Sequence, residues 1–188
     1  MSNTIPGYFT EEDFLALDKI ISFLPESGQI LEYGSLFGKS LSHMLKTLEC
    51  KNYKFFAIDQ WSDGLIERFI KHNLEYKDLL SQFNSSKEAF DYFIGHRNNL
   101  ITIQTIFDPH TFVWKYGELN FVFIDAEHGY AETRDAILFW AKYICKFNGI
   151  IAWHDHNTRS VHDGAMFAAK QLQKGIIKIS DFIAYMQF

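Results

Sequence analysis

The chain has 188 residues, 47% of them hydrophobic and 17% aromatic, with a formal net charge of −5. One domain with a sizeable core suits that length, and the acidic balance argues against a nucleic-acid partner. No apolar run reaches membrane-spanning length, and the opening MSNTIPGYFTEED has neither a basic leader nor an apolar stretch, so no membrane partner and no signal peptide are expected.

In chain order, residues 1–9 read as a loose lead-in. Thr10 can cap a helix whose first turn carries Glu11, Glu12 and Asp13, the charge that end favours. Phe14, Leu17, Ile21 and Leu24 recur at helical spacing until Pro25, Ser27 and Gly28 stop them. A strand is predicted over 29–33, then a glycine turn, then a helix whose apolar face is Leu41, Met44, Leu45 and Leu48. A second strand, 53–58, closes on Asp59, Gln60 and Trp61. Residues 62–99 are polar and mostly helical, too long for a simple crossover, and predict a lid-like insertion within the single domain. Its Phe69, Tyr76, Phe83, Phe90 and Tyr92 fit an aromatic pocket or a helical core equally well.

A third strand follows at 100–105 and a brief helix at 109–116. Phe121–Ile124 is a continuous apolar run ending in Asp125, the pattern of a strand buried on both faces. A helix is predicted over 131–147, ended by Asn148 and Gly149. A strand at 149–153 then ends in His154, Asp155 and His156. A last helix near 161–173 leads to 176–179 and 182–188, which predict a closing antiparallel hairpin. Strands alternating with helices imply an α/β fold, a doubly wound and mostly parallel Rossmann-like sheet of about seven strands. Cys50 and Cys145 form no metal spacing and no disulfide framework, and read as buried thiols of a reducing, cytoplasmic environment.

The stretch Ile30–Ser40, ILEYGSLFGKS, carries the first chemical signal. Glycines at 34 and 38 let the backbone turn sharply and approach a ligand, and a helix N-terminus behind them favours an anion. A phosphate loop needs one more spacer residue before Gly38-Lys39-Ser40. A dinucleotide fingerprint needs glycine where Leu36 stands. The pattern E-x-G-x-x-x-G resembles the first motif of class I S-adenosylmethionine-dependent methyltransferases without adjustment. An ordinary βα turn explains it about as well, so the rest of the chain has to decide.

Polar residues close apolar runs repeatedly: Glu32, Asp59, Asp125, and His154 with Asp155. In doubly wound sheets ligands bind beyond these strand ends, at the switch point. Asp59, placed after the second strand, can accept both ribose hydroxyls of an adenosine ligand, which suits NAD and S-adenosylmethionine alike. Trp61 can stack on adenine or cover the site.

The resemblance becomes specific at VFIDAEHGY, residues 122–130, which looks like the "FIDGDHSY" motif of small class I methyltransferases related to macrolide, sugar and cephalosporin-pathway enzymes, a Methyltransferase 24-like pattern. FFAIDQW is similar to that family's "vyaiDtW", KFNGIIAWHDHN to its "lkpGGiiagHDy", and Val161 to Ala165 loosely to its "gVxxAv". Three departures stand out. Asn148-Gly149 replaces a double glycine, Gln104-Thr105-Ile106 replaces a "GDS" that touches adenine, and Trp153 stands where a small residue is usual and would narrow the pocket.

The resemblance implies S-adenosylmethionine as cofactor. Glu32, Gly34, Ser35, Gly38, Ser40, Asp59, Gln60, Trp61, Thr105, Asp125 and His128 would surround it, and Lys39 would face solvent. It also implies methyl transfer to an oxygen of a small-molecule or sugar acceptor. His154, directly at a strand end, is the favoured base, with His128 and Asp125 as further catalytic candidates. Asp125, His154 and Asp155 also offer ligand types for a divalent metal such as magnesium, although histidine suits softer ions and hydrogen bonding without metal is slightly preferred. Two alternatives remain: a nucleotide-dependent enzyme (an NTPase or dehydrogenase), or a binding module without turnover. The residues do not report an oligomeric state.

Overall fold

The computed structural model describes residues 5–126 and 128–188. Residues 1–4 of the expected lead-in, and Glu127 of the VFIDAEHGY stretch, lie outside them. The first helix, α1 (Glu11–Ile21), starts at a capping box, in which Thr10 and Asp13 each satisfy a backbone N–H of the other. There follow β1 (Ser27–Tyr33), α2 (Lys39–Thr47) and β2 (Asn52–Asp59). The helical segment comprises α3 (Leu65–His72), a 3₁₀ turn (Leu74–Tyr76), α4 (Lys77–Leu80) and α5 (Ser86–Ile94). Then come β3 (Leu100–Gln104), β4 (Phe121–Ile124), α6 (Tyr130–Trp140), β5 (Ile150–Trp153), α7 (Arg159–Leu172), β6 (Ile177–Lys178) and β7 (Ala184–Gln187).

The strands form one sheet in the order β3-β2-β1-β4-β5-β7-β6. β1 to β5 are parallel, β7 pairs antiparallel with β5, and β6 antiparallel with β7. This is the doubly wound sheet with a closing hairpin that the alternation of elements predicts. The order reverses between β1 and β4, so the crevice lies above that pair.

Strand alternation sorts the core onto two faces. On one side Ile30, Phe55, Ala57, Phe121 and Phe123 meet Leu17 and Ile20 of α1 and Leu41 and Met44 of α2. On the other, Leu31, Phe56, Val122 and Ile151 meet Ile137 and Trp140 of α6 and Ala165 and Ala168 of α7. The helical segment has a satellite cluster of its own, built on Phe37, Ile66, Phe69 and Leu80. Among the described residues no helix is long and apolar enough to cross a membrane.

Three local expectations are corrected, and one left open between two readings is resolved. Residues 109–116 form no helix: Asp108 accepts from the His110 N–H and the Thr111 hydroxyl, making a turn. The chain then runs across the sheet face to bury Trp114 against Phe56 and Trp140, and tertiary burial overrides weak helix propensity. Helix α6 stops at Trp140 because residues 143–145 leave it to pair with Leu119: Leu119 N–H donates to Tyr143 O and Cys145 N–H to Leu119 O. The cysteines are not buried, Cys50 being exposed and Cys145 half-buried. Phe69 and Phe90 are core residues, and Tyr92 faces solvent.

Gly34 makes the tightest approach to backbone at the sheet's working edge. Its φ is +95°, and a Cβ there would sit 2.2 Å from the backbone oxygen of Asp125. Gly34→Ala should therefore destabilise the fold by roughly 3 kcal/mol or more, left-handed strain adding to a backbone clash. The urea midpoint measures it, and a loss under about 1 kcal/mol would contradict this packing.

Candidate active site

Backbone hydrogen bonds stitch the strand ends into one rim. Gly34 N–H donates to Ile58 O at 2.8 Å, Asp125 N–H to Tyr33 O at 2.8 Å, and His154 N–H to Ile124 O at 3.0 Å. Above the rim lies a cavity of about 700 Å³, within the range of small-molecule sites. The turn from Gly34 to Lys39 forms its floor.

That turn is held from below. Leu36 keeps a left-handed φ of 48°, costly for a leucine. Its N–H donates to Asp59 Oδ2 at 2.8 Å, and its carbonyl accepts from Trp61 Nε1 at 2.7 Å. Asp59 also accepts from the Trp61 N–H. Burial raises its pKa, and these N–H donors offset only part of the rise. Trp61 is 2% exposed and packs on Phe90. It braces the turn and does not line the cavity. Gly38, with φ +87°, also lies off the cavity, and its missing Cβ makes room for Ile94.

Glu32 sits beneath the floor, fully buried, accepting from Ser40 Oγ at 2.6 Å. Burial pushes its carboxyl up to about 8, against the opposing Ser40 hydrogen bond and the nearby Ser35 hydroxyl. It is therefore largely protonated at neutral pH, and reaches the cavity only through Ser40, which lines it. Gly34, Ser35, Gln60 and Thr105 line the cavity directly. Lys39, expected in solvent, does too: its stem is half-buried and Nζ donates to Gly7 O at 3.1 Å. Trp153 does not narrow the cavity. It is buried on the opposite face of the sheet, with Nε1 donating to His156 Nδ1.

The ionisable cluster gathers at the other end. His154 is 8% exposed and lies between Phe9 and Phe182, with ring centroids at 5.0 and 6.0 Å. Its Nδ1 is 3.3 Å from Asp155 Oδ2 and 3.5 Å from Asp125 Oδ1, and its Nε2 is 3.4 Å from Asp13 Oδ1. Burial alone would lower its pKa, but the Asp155 hydrogen bond and the charges of Asp125 and Asp13 win and raise it to about 9. Burial pushes Asp125 up to about 6. Asp155 would rise by burial too, yet the hydrogen bonds from His128 and His154 hold it well below the carboxylate range. His128 is more than half exposed, with Nε2 2.6 Å from Asp155 Oδ2. That hydrogen bond raises its pKa, against partial burial.

The structure thus brings together Asp125, His128, His154 and Asp155 as the sequence suggests. It adds Phe9, Thr10, Asp13, Phe107 and Phe182 to the cavity wall, which sequence reasoning missed. The Thr10–Asp13 signature was legible only as a helix start. Asp125, His154 and Asp155 place one ligand atom each within 4.8 Å of one another. Two carboxylates are what magnesium commonly takes from a protein, with waters completing its shell, but His154 stands between these two as the third member of the set, and an imidazolium that already pairs with both presents no lone pair.

Known proteins resemble the chain in two ways. The family model described as "Methyltransferase domain" matches residues 31–156. Among solved structures, the precorrin-6y C5,15-methyltransferase from Geobacter metallireducens GS-15 aligns over 100% of this chain and 92% of its own, with TM-score 0.63 and 11% identity. The SAH-bound Podospora anserina methyltransferase PaMTH1 aligns over 97% and 80%, with TM-score 0.62 and 13% identity. The O-methyltransferase from Bacillus cereus in complex with SAH aligns over 98% and 84%, with TM-score 0.56 and 14% identity. At these identities the structures speak to the fold. No curated protein matches the chain.

Glu32 and His154 each make stability fall as pH rises. Glu32 holds a proton in the folded chain up to about 8 that the unfolded chain releases near 4.5, so its contribution is lost across that window. His154, raised from 6.5 to about 9, loses its contribution above 6.5. Glu32→Gln removes the first titration and keeps an acceptor for Ser40. Its melting temperature should match wild type near about pH 5 and exceed it near about pH 8.5, by about 2–4 °C for each kcal/mol recovered. A constant offset at both values would contradict a buried, neutral Glu32.

Proposed function

The chain belongs to the methyltransferase domain family of S-adenosylmethionine-dependent class I enzymes, and from that premise we propose that it methylates a hydroxyl of a small-molecule or sugar acceptor. The cavity suits the cofactor. Asp59 faces it with both carboxylate oxygens held by N–H groups, and each oxygen keeps a second acceptor site for a ribose hydroxyl. The turn from Gly34 to Ser40, with Ser35 buried in it, would hold the amino-acid end. Thr105, Ile106 and Phe107, at the end of β3, would border the adenine. When bound, S-adenosylmethionine supplies an electrophilic methyl group on a sulfonium.

The chain's own part is to orient the acceptor and take its proton. The observation that carries this reading is the His128–Asp155 pair. Asp155 accepts from Nε2 at 2.6 Å, which fixes the tautomer and leaves Nδ1 as the nitrogen that accepts a proton. Exposure lets His128 hand that proton to solvent. His154, the residue the sequence favours as base, is already protonated at neutral pH and sealed between two aromatic rings. We read it as a fixed positive charge that balances Asp13, Asp125 and Asp155, so that no metal is needed. The helical segment 62–99 reaches the cavity through Leu65 and would close the acceptor side as a lid.

His128→Ala should lower kcat by about 10²–10⁴-fold and leave the affinity for S-adenosylhomocysteine within about threefold of wild type. Equal turnover in the variant would sink the base assignment. An absence of S-adenosylhomocysteine binding by the wild-type chain, measured by isothermal titration, would sink the methyltransferase reading itself.

Dialysis against EDTA should leave turnover unchanged. Loss of activity that added magnesium restores would overturn the metal-free reading of Asp125, His154 and Asp155.

A further inference from the structure

We propose that the Lys39 ammonium is the counter-ion for the carboxylate at the amino-acid end of S-adenosylmethionine, an assignment that rests on the methyltransferase reading above. The cavity is acidic. Asp13, Asp59, Asp125 and Asp155 line it, and its two histidines already face those carboxylates at the far end. A ligand carboxylate entering such a space is repelled unless one local cation receives it. Among the described residues that line the cavity, Lys39 is the one lysine or arginine.

Its position is built by the fold. Lys39 is the first residue of α2, and Gly38 before it gives the helix no side-chain cap. The helix start therefore adds unshared N–H groups and the positive end of the dipole to the ammonium. Gly7 crosses directly over the lysine stem: a Cβ on Gly7 would lie 3.1 Å from Lys39 Cδ. The stem is thereby pinned along the cavity wall. Nζ donates to the neutral Gly7 carbonyl at 3.1 Å, and an ammonium has three donors, so it has donors left for an anion. Partial burial lowers its pKa, opposed by Glu11 and Asp13. An ammonium stripped of some of its water gains more from an anion than one in bulk solvent.

A second observation points to a ligand at the same place. Ser35 lines the same floor, its side chain 2% exposed. Its Oγ makes no hydrogen bond of ordinary geometry, although it lies near enough to Glu32 to oppose that residue's rise. Buried hydroxyls are ordinarily satisfied, and a carboxylate seated between Lys39 and the turn would satisfy this one. Lys39 is thus recruited from the position that a phosphate lysine occupies in nucleotide-binding loops, in a turn one residue too short for the phosphate nest.

The test compares two ligands on three proteins by isothermal titration. The ligands are S-adenosylhomocysteine and its decarboxylated analogue, which keeps the amine and lacks the carboxylate. The proteins are wild type, Lys39→Met and Lys39→Arg. Lys39→Met should weaken S-adenosylhomocysteine by roughly tenfold or more, about one charge-assisted pair. It should leave the decarboxylated analogue at wild-type affinity or tighter, which also certifies that the variant is folded. Lys39→Arg should recover most of the loss. Equal weakening of both ligands, or unchanged binding of S-adenosylhomocysteine, overturns the assignment while the methyltransferase reading stands. Failure of wild type to bind either ligand overturns both.

Discussion

Gly34 lies where the ends of three neighbouring strands are drawn together. Its N–H reaches across to Ile58 on β2, Asp125 reaches back to Tyr33, and the missing Cβ is what lets the β1 turn lie against the Asp125 carbonyl. With any larger residue the turn would lift off the end of β4. Asp59 could not then hold the Leu36 N–H, nor Trp61 the Leu36 carbonyl. The floor of the cavity and the alignment of Asp59 with Asp125 both follow from that one close approach. A βαβ sheet places its crevice at the switch point for topological reasons; here a single glycine sets how deep the crevice is.

Beneath that floor the chain keeps a carboxyl group in the core. Ionised, Glu32 would have to be paired. Protonated, it is far cheaper to bury and keeps its bond from Ser40. The charge is thereby removed from the floor, while the opposite end keeps its charges and balances them. Asp155 sits between two imidazoles, and His154 faces three carboxylates, one from α1 and one just beyond each of β4 and β5. The two ends of the cavity therefore differ in kind. One is a backbone cradle of turn N–H groups with a lysine at its rim. The other is a set of interlocked ions in which only His128 stands more than half exposed.

Much of this was legible in the sequence because strand ends and glycine turns follow local rules. The alternating elements gave the sheet, the apolar run Phe121–Ile124 gave a strand buried on both faces, and Asp59, Asp125, His128 and Asp155 fall where strand ends put them. What was illegible depends on direction and on distance in sequence. Trp61 and Lys39 each follow a strand-end turn, and nothing local says that the indole turns under the loop while the ammonium turns into the cavity. Glu32 reads as a ligand because it ends an apolar run. Its side chain in fact points down to Ser40, a consequence of strand pleating that is fixed only once the register is known. The expected helix at 109–116 was lost to Trp114, whose burial against Phe56 and Trp140 is a long-range contact.

The residues that enclose His154 complete the argument. Phe9 and Asp13 come from the start of the chain and Phe182 from the closing hairpin, all outside the stretch 31–156 that matches the family. The half of the cavity floored by the glycine turn is built from inside that stretch, from Gly34 to Ser40 and at Asp59 and Thr105. Asp13 serves two structures at once: one carboxylate oxygen closes the capping box with Thr10, and the other faces the buried imidazole. The start of α1 is thereby locked to the end of β5. The ionic end of the cavity is therefore walled in part by the first helix and by the closing hairpin, two elements that the family pattern does not reach, and the imidazole of His154 owes its enclosure to both.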